Sequence, residues 1–349
     1  MFASALRLLP PETAHRLALW GLARGLGPRI SPPEDPGLRV ELWGRSFSHP
    51  IGLAAGFDKN AVAVPGLFAL GFGFVEVGAV TPRPQPGNPQ PRLFRLTPDR
   101  AIVNRMGFNN AGLEAARAEL SGLPEHPGPV GVNLGANKDS EDRAADYEAG
   151  IRAFAPLADF LTINVSSPNT ERLRDLQGAA ALDALLGRCL DLRDSLKAEG
   201  KGAAPILLKI APDLGASELA DVAEICLARR IDGIVATNTT LSLRDRLKDS
   251  QRDEKGGLSG APLFELSTQV LRDLRRLTRG EIPLIGVGGV STPEQAWTKI
   301  RAGASLVQIY SAMIYEGPGL AVRIARGLPA LMKRDGFRSV SEAVGTEKP

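Results

Sequence analysis

Residues 159–170 begin as an apolar, β-branched run and end in Ser, Ser, Pro, Asn and Thr. The first half is typical of a buried strand, and the second half has the composition of a loop. Chemistry in α/β proteins commonly lies where such a strand ends. The loop offers hydroxyls and amides without formal charge, which favours a planar, neutral, amide-rich ligand over a phosphate or a metal: Asn164, Ser166, Ser167 and Asn169. An ordinary turn after a strand explains the segment alone equally well.

Two lysines and further asparagines stand at other predicted strand ends. Lys209 lies inside an apolar strand, where a lysine rarely lacks an anionic partner, so it could hold negative charge that develops on a cofactor ring. Lys59, just after the first strand, could pair with a substrate carboxylate. In both cases the alternative is a lysine that reaches solvent. Single asparagines usually form turns, but their number predicts a polar, uncharged pocket formed by Asn133, Asn164, Asn169 and Asn238.

The same set lacks an obvious base, because Asp58 is its sole nearby carboxylate and no histidine belongs to it. A serine hydroxyl is a weak base, so Ser167 as proton acceptor would need a water relay or a transfer coupled to departing negative charge. The glycine loop at 286–289 leads into Ser-Thr-Pro at 291–293. Together with residues 303–311, it predicts a phosphate site built from backbone N–H groups at a helix N-terminus.

The elements that position these residues are eight short apolar runs separated by helix-length segments. Leu182, Leu185, Leu186, Cys189 and Leu190 show the helical spacing. Eight such units predict a (β/α)8 TIM barrel, an α/β fold, rather than a doubly wound open sheet, and no Gly-x-Gly-x-x-Gly turn follows the first run. The predicted strands are 51–55, 74–80, 130–134, 160–165, 206–210, 233–236, 284–287 and 306–310.

Two further segments flank this pattern. An insertion after the second strand contains apolar pieces at 91–96 and 101–108, which predict a small hairpin over the barrel mouth. Residues 1–26 predict two short amphipathic helices broken at Pro10-Pro11, followed by a linker at 28–39. Such a helix pair could pack on the barrel or lie in a membrane interface, but it is too short to span a bilayer. We expect a helix pair with linker at 1–39, a catalytic barrel at 40–335 and a tail at 336–349.

Composition excludes several classes of protein. The chain has 349 residues, 43% of them hydrophobic and 23% charged, which is ordinary globular composition. A net charge of +3 gives no case for nucleic-acid binding. Its 2 cysteines are too few for a disulfide scaffold, and its 3 scattered histidines lack ligand spacing. The sequence therefore predicts a metal-free enzyme from a reducing compartment.

Taken in order, these motifs resemble the membrane-associated, quinone-dependent class of dihydroorotate dehydrogenases. The resemblance covers nearly the whole chain, from the N-terminal helix pair to Ile324. The motifs that carry it are GLAAGFDK (52–59), TPRPQPGN (81–88), PRLFR (91–95), NRMGFNN (104–110), INVSSPNT (163–170), KIAPD (209–213), ATNTT (236–240), GGLSG (256–260), GVGG (286–289) and LVQIYS (306–311).

The resemblance implies an enzyme with one FMN per chain that oxidises (S)-dihydroorotate to orotate in pyrimidine synthesis and reduces a quinone. Ser167 would take the C5 proton while hydride leaves C6 for the flavin. FMN would contact Ala55, Gly56, Phe57, Asp58, Lys59, Ala79, Asn133, Asn164, Lys209, Thr237, Gly260, Gly289, Tyr310 and Ser311. Substrate would contact Lys59, Asn104, Arg105, Met106, Gly107, Phe108, Asn164, Asn169, Asn238 and Thr239.

The same resemblance favours the quinone class over soluble relatives, which use cysteine as the base and lack the N-terminal helices. It implies that these helices form a tunnel lined by His15 and Arg95. We further expect a monomer bound peripherally to the cytoplasmic side of the inner membrane, since no transit peptide precedes the helix pair. Ala79 departs from the family, in which many members carry a hydroxyl residue there. Residues 170–177, charged and next to Ser167, are the predicted lid.

Two other functions remain open at this point. A phosphate-binding barrel, such as a phosphosugar isomerase or lyase, would be expected to show a catalytic carboxylate or histidine at its mouth. A non-catalytic, membrane-peripheral binding protein would not need eight polar strand ends that converge on one face.

Overall fold

The computed structural model describes residues 6–347, and eight parallel strands in it close a barrel in which neighbours follow chain order. This confirms the predicted (β/α)8 fold. The observed strands differ from the predicted ones by a few terminal residues: Ile51–Leu53, Phe74–Val80, Val130–Leu134, Phe160–Asn164, Ile206–Ile210, Gly233–Ala236, Leu284–Val287 and Ala304–Ile309.

The barrel strands are continuous apolar runs because both of their faces are covered, by side chains inside and by helices outside. Every residue of the strand Phe74–Val80 is buried, and the same holds for Ile206–Ile210. The helices of the barrel and its additions are Val64–Ala69, Leu113–Ser121, Arg143–Phe154, Ala179–Ala198, Ala216–Arg229, Phe264–Leu277, Pro293–Arg301, Ala312–Glu316, Leu320–Asp335 and Val340–Ala343.

The amino-terminal end of the barrel is closed by a short antiparallel hairpin, Val40–Leu42 with Arg45–Phe47. Phe47 packs edge-on against Phe74 at 5.4 Å between ring centroids, and Trp43 lies 5.8 Å from Phe160. The indole Nε1 of Trp43 donates to the carbonyl of Asp232 at 2.7 Å. This end is therefore filled, and the carboxyl ends of the strands are left for a site.

A three-stranded antiparallel sheet lies over the carboxyl ends, formed by Leu93–Leu96, Ala101–Asn104 and Gly257–Gly260. The first two strands confirm the predicted hairpin, and the sheet as a whole has a small core of its own around Phe94 and Leu258. The third strand was not predicted, because a glycine-rich segment has low β-propensity. A Cβ on Gly257 would lie 1.9 Å from Thr239 Oγ1, so close packing explains this glycine.

The second of the two predicted amino-terminal helices is observed as Pro11–Ala23, called here the N-terminal helix. It packs closely on the helix Val64–Ala69, where a Cβ on Gly66 would lie 2.2 Å from the carbonyl oxygen of Leu22. The first predicted helix falls largely on residues 1–5, outside the described residues. Within residues 6–347, no helix combines the length and apolar character needed to cross a bilayer. The predicted linker contains a single 3-10 turn, Pro36–Leu38.

Candidate functional site

A cavity of about 1210 Å³ opens among the carboxyl ends of the strands and continues beneath the N-terminal helix. Nearly every residue predicted for a site lines it. From the predicted cofactor and substrate sets these are Ala55, Gly56, Phe57, Lys59, Ala79, Asn104, Met106, Gly107, Phe108, Asn133, Asn164, Asn169, Lys209, Thr237, Asn238, Thr239, Gly260, Gly289, Tyr310 and Ser311; Ser167, His15 and Arg95 line it too.

Two predicted residues, Asp58 and Arg105, do not line the cavity. The Asp58 carboxylate is buried and accepts backbone N–H groups from Asn60, Val62 and Ala63, so it orders the loop after the first strand. Desolvation raises its pKa, and those hydrogen bonds oppose the shift. The Arg105 guanidinium instead pairs with Glu254 at 2.7 Å and stacks over Phe94. Both side chains therefore have structural partners outside the cavity.

The fourth strand end is held by a chain of amide hydrogen bonds. Asn164 Nδ2 donates to Asn133 Oδ1 at 2.9 Å, and Asn238 Nδ2 donates to Asn164 Oδ1 at 3.3 Å. The hydroxyl of Ser166 is used inside this network, where it donates to Asn164 and accepts from Asn238. Ser167 differs, because it lines the cavity and its Oγ accepts a 3.3 Å bond from the Asn169 N–H. Within residues 6–347 this hydroxyl donates to no protein group, so it can donate to a ligand.

A second amide cluster joins the fourth strand end to the hairpin above the barrel. Asn169 Nδ2 donates to Asn104 Oδ1 at 3.1 Å. Asn88, in the loop before the hairpin, donates to the carbonyls of both Arg105 and Asn169. The insertion therefore lies over the cavity and shares hydrogen bonds with the loop that carries Ser167, as its position at the barrel mouth suggests.

Lys209 is 5% exposed, and its electrostatic partner is a residue that sequence reasoning missed, Glu76. Burial lowers the pKa of Lys209, and the Glu76 carboxylate opposes that shift. Glu76 also accepts from Asn133 Nδ2 at 2.7 Å and from the Gln308 side chain. The sequence feature that could have identified Glu76 is its position as a single glutamate inside an otherwise apolar strand. A buried carboxylate there needs partners.

Lys59 lies at the cavity wall and donates to the Gly56 carbonyl at 2.8 Å. Its pKa is lowered to about 8 by desolvation and then by Arg92, while Glu12 and Asp58 act in the opposite direction. Arg92 in turn pairs with Glu12 of the N-terminal helix at 2.7 Å and donates to the carbonyls of Pro86 and Asn88. A cation is thus available at neutral pH for an anionic ligand in the cavity.

Glycines form the wall near the seventh and eighth strands. Gly288 and Gly289 have φ of 119° and 73°, a region that L side chains rarely adopt. A Cβ on Gly289 would lie 2.6 Å from the backbone of Phe264, so the loop packs against the start of the helix Phe264–Leu277. The hydroxyls of Ser259 and Ser311 are 2.7 Å apart beside it. Such a cradle suits a phosphate.

The other part of the cavity is apolar and runs beneath the N-terminal helix, along Leu6, Leu9, Ala14, Leu17, Ala18 and Pro318. His15 Nε2 donates to the Phe57 carbonyl at 2.7 Å, and burial lowers the pKa of this imidazole to about 4, so it is neutral at physiological pH. Arg95 donates to the Arg7 carbonyl, while its buried Nε has no protein partner among residues 6–347.

The predicted lid, residues 170–177, is fixed by an arginine that the sequence did not single out. Arg174 donates to the carbonyls of Ser166 and Thr239 at 3.1 and 3.0 Å and pairs with Asp213 at 2.8 Å. It therefore joins the loops after the fourth, fifth and sixth strands. An arginine in a charged loop gives no sequence signal for this role, because its partners are distant in the chain.

Comparisons with known proteins agree with this geometry. The model of the family described as dihydroorotate dehydrogenase matches residues 37–332. A protein of Cereibacter sphaeroides named dihydroorotate dehydrogenase (quinone) is 59% identical over 343 residues, covering 98% of this chain and 96% of that protein. A protein of the same name from Parvibaculum lavamentivorans is 53% identical, covering 97% of this chain and 96% of that protein.

Solved structures give the same result. The crystal structure of the Eimeria tenella enzyme DHODH in complex with ferulenol has a TM-score of 0.93 and 39% identity, covering 97% of this chain and 96% of that one. A crystal structure of the ligand-free enzyme from the same organism has a TM-score of 0.92 and 40% identity. The chain belongs to the dihydroorotate dehydrogenase family, among the members that are named for a quinone.

Proposed function

We propose that this protein is a dihydroorotate dehydrogenase that oxidises (S)-dihydroorotate to orotate in pyrimidine synthesis and passes the electrons to a quinone. Relatives that are 53–59% identical over nearly their full length carry that name. The observation that carries the proposal is the continuous cavity, which joins a pocket of uncharged amides to an apolar passage under the N-terminal helix. One cavity of this kind can accept a polar ring at one end and a lipid-soluble acceptor at the other.

The family is flavin-dependent, and we propose FMN as the flavin in this chain. The residues fit such a group, because Gly288 and Gly289 offer a phosphate cradle while Ala79 and Lys209 line the wall below. The buried Oε1 of Gln308, also on the cavity wall, lacks a protein partner within residues 6–347 and could accept a ligand N–H. Bound FMN would supply a hydride acceptor and a store for two electrons. Lys209 would hold the negative charge that develops on its ring.

Ser167 would act as the base by accepting the proton from C5 of the substrate at Oγ. Because a serine hydroxyl is weak, its own proton must leave as the substrate proton arrives. Asn104, Asn169 and Asn238 would hold the pyrimidine amides, and the Lys59 ammonium would pair with the carboxylate. Among residues 6–347 the cavity lining contains no Asp or Glu. The base of a phosphosugar isomerase or lyase would then have to be a histidine, and the His15 of this lining is on the N-terminal helix, bonded to the Phe57 carbonyl.

The apolar passage would admit the quinone. His15 and Arg95 are polar groups on its wall, and the unpartnered Nε–H of Arg95 is a donor for a carbonyl oxygen. Because burial lowers its pKa to about 4, His15 adds no positive charge to this passage at neutral pH, which suits an uncharged acceptor. His15 is a residue of the N-terminal helix and bonds to the loop that carries Phe57, and Arg95 is on the hairpin strand Leu93–Leu96.

We further propose peripheral attachment to the cytoplasmic face of the inner membrane through residues 1–39, with the barrel at 40–335 acting as a monomer. The N-terminal helix presents Leu17 and Trp20, 43% and 51% exposed, and Leu8 and Leu26 lie exposed beside it. Arg24 lies over the Trp20 ring at 4.4 Å, an arrangement suited to the headgroup region.

The test is a pair of half-reactions on the purified protein. Anaerobic dihydroorotate should bleach the flavin absorbance, and a soluble quinone should then restore it. Release of the flavin by denaturation and its chromatography against FMN and FAD standards would identify it. Protein that is colourless and releases no FMN would overturn the proposal, and flavin that dihydroorotate cannot reduce would overturn the substrate assignment.

A further inference from the structure

A fully buried lysine lies outside the cavity, behind the glycine cradle. Lys299, on the helix Pro293–Arg301, has no solvent exposure. Its Nζ donates to Ser267 Oγ at 2.9 Å and to Thr268 Oγ1 at 3.0 Å, and it lies 5.3 Å from the Phe264 ring centroid. None of the ion pairs found within residues 6–347 includes it. A buried ammonium without a carboxylate bonded to it is uncommon in proteins.

The environment makes the charged form of this lysine costly. Burial and, to a smaller extent, the charge of Arg272 together lower the pKa of Lys299 to about 7, whereas Glu265 acts in the opposite direction. Hydroxyl oxygens stabilise an ammonium less than a carboxylate does, because they carry no formal charge. An anion that binds nearby would therefore stabilise the charged form of Lys299.

A short path of hydrogen bonds connects Lys299 with the place where such an anion would bind. Ser267 Oγ, which accepts from Lys299, itself contacts the Gly288 carbonyl at 3.2 Å. The lysine stem also approaches the seventh strand, since a Cβ on Gly286 would lie 3.2 Å from Lys299 Cδ. The side chain of Ser267 thus connects the ammonium with the loop that forms the cradle.

We propose that Lys299 is a positioning residue whose buried positive charge, held against Ser267 behind the loop at 286–289, strengthens binding of the cofactor's phosphate group. Its charge acts through the low-polarity interior, where Coulomb attraction is weakly screened. The inference rests on the proposed function, because it takes FMN as the cofactor. The alternative role is purely structural, in which Lys299 ties the helix Pro293–Arg301 to the helix Phe264–Leu277.

The experiment compares FMN with riboflavin, which has the same ring system and no phosphate. Lys299→Met and Lys299→Gln are the test variants, and Lys333→Met, at an exposed helix position, is the control. After removal of bound flavin, the affinities for FMN and riboflavin are measured by fluorescence. We expect both test variants to weaken FMN binding about tenfold and to leave riboflavin binding unchanged. Equal losses for the two ligands, or no loss, would overturn the inference.

The wild-type protein supplies a second measurement that does not depend on any variant folding. A nearby dianion raises the pKa of Lys299, so the advantage of FMN over riboflavin should shrink as the pH rises from about 7.5 to about 9.5. The phosphate is fully ionised over that range, and the ratio of affinities cancels effects on the ring, including those of Lys59. A constant ratio would overturn the inference. Protein that binds neither flavin would instead contradict the proposed function.

Discussion

The two halves of the cavity are built differently. The polar half is formed by loops after several barrel strands, whose side chains bond to one another through Asn133, Asn164 and Asn238. The apolar half is covered by one helix. The polar contacts between that helix and the barrel include the hydrogen bond from His15 to the Phe57 carbonyl and the ion pair of Glu12 with Arg92. We infer that substrate oxidation depends on a rigid set of side chains that hold one another by hydrogen bonds. Quinone access depends on the N-terminal helix, which can be altered separately.

The largest effect should come from Ser167→Ala, which removes the proposed base from the polar half. General-base catalysis contributes about 10²- to 10⁴-fold, so flavin reduction by dihydroorotate should slow within that range. Reoxidation by quinone should be unchanged, since it does not use this hydroxyl. Stopped-flow measurement of the two half-reactions checks both statements.

Ser166→Ala is the matched control for that variant. The Ser166 hydroxyl is buried in the amide network and does not line the cavity. Its loss should cost about 1 kcal/mol of stability and leave the rate of flavin reduction within a few-fold of wild type. If Ser166→Ala slowed reduction as much as Ser167→Ala, the base assignment would be wrong.

The apolar half is tested by filling it. Ala18 lines the passage under the N-terminal helix, and Ala18→Trp places a large ring there. We expect kcat/KM for quinone to fall about tenfold or more, while reduction by dihydroorotate changes less than about twofold. Ala23→Trp, at an exposed position of the same helix, controls for helix stability. Equal slowing of both half-reactions in Ala18→Trp would show that the halves are not separable.

A third effect is the pH dependence of substrate binding. Because the pKa of Lys59 is lowered to about 8, its cation is present below that pH and is lost as the pH rises above it. Binding of a carboxylate raises this pKa, so orotate affinity should fall by up to about tenfold per pH unit in the alkaline range. Titration of orotate against flavin absorbance measures it. Quinone KM should not follow the same curve, since burial lowers the pKa of His15 to about 4, well below this range.

Local signals in the sequence predicted the barrel and several polar residues of the cavity lining, and the family resemblance supplied the other predicted lining residues. Apolar runs such as 206–210 mark strands, and polar residues directly after them must lie at the mouth. Sequence reasoning missed Glu76 and Arg174, whose roles are set by partners far away in the chain. It also placed Asp58 and Arg105 in the site by motif, although their side chains bond outside the cavity. A motif fixes where the backbone lies and leaves the direction of each side chain open.

The smallest effect should come from Glu12→Gln, which removes the ion pair with Arg92 that joins the N-terminal helix to the barrel. Arg92 keeps its bonds to Pro86 and Asn88, so the barrel should unfold at nearly the same temperature. The N-terminal helix should lose about 1 kcal/mol of local stability, seen as faster amide hydrogen exchange in residues 11–23. Quinone KM should rise about threefold, with the rate of flavin reduction at saturating dihydroorotate unaffected.

Lowering the pH should reproduce this change in the wild-type protein. Burial alone would raise the pKa of Glu12, but its hydrogen bond and charge interaction with Arg92 outweigh that and lower it. The contribution of the pair is therefore complete above the ordinary carboxyl pKa and is lost as the pH falls through the lowered one. The protection of residues 11–23 from exchange, measured relative to the intrinsic exchange rate at each pH, should fall on acidification in wild type and change less in Glu12→Gln. If Glu12→Gln slowed substrate oxidation as strongly as quinone reduction, the helix would belong to the rigid set, and the distinction between the halves would fail.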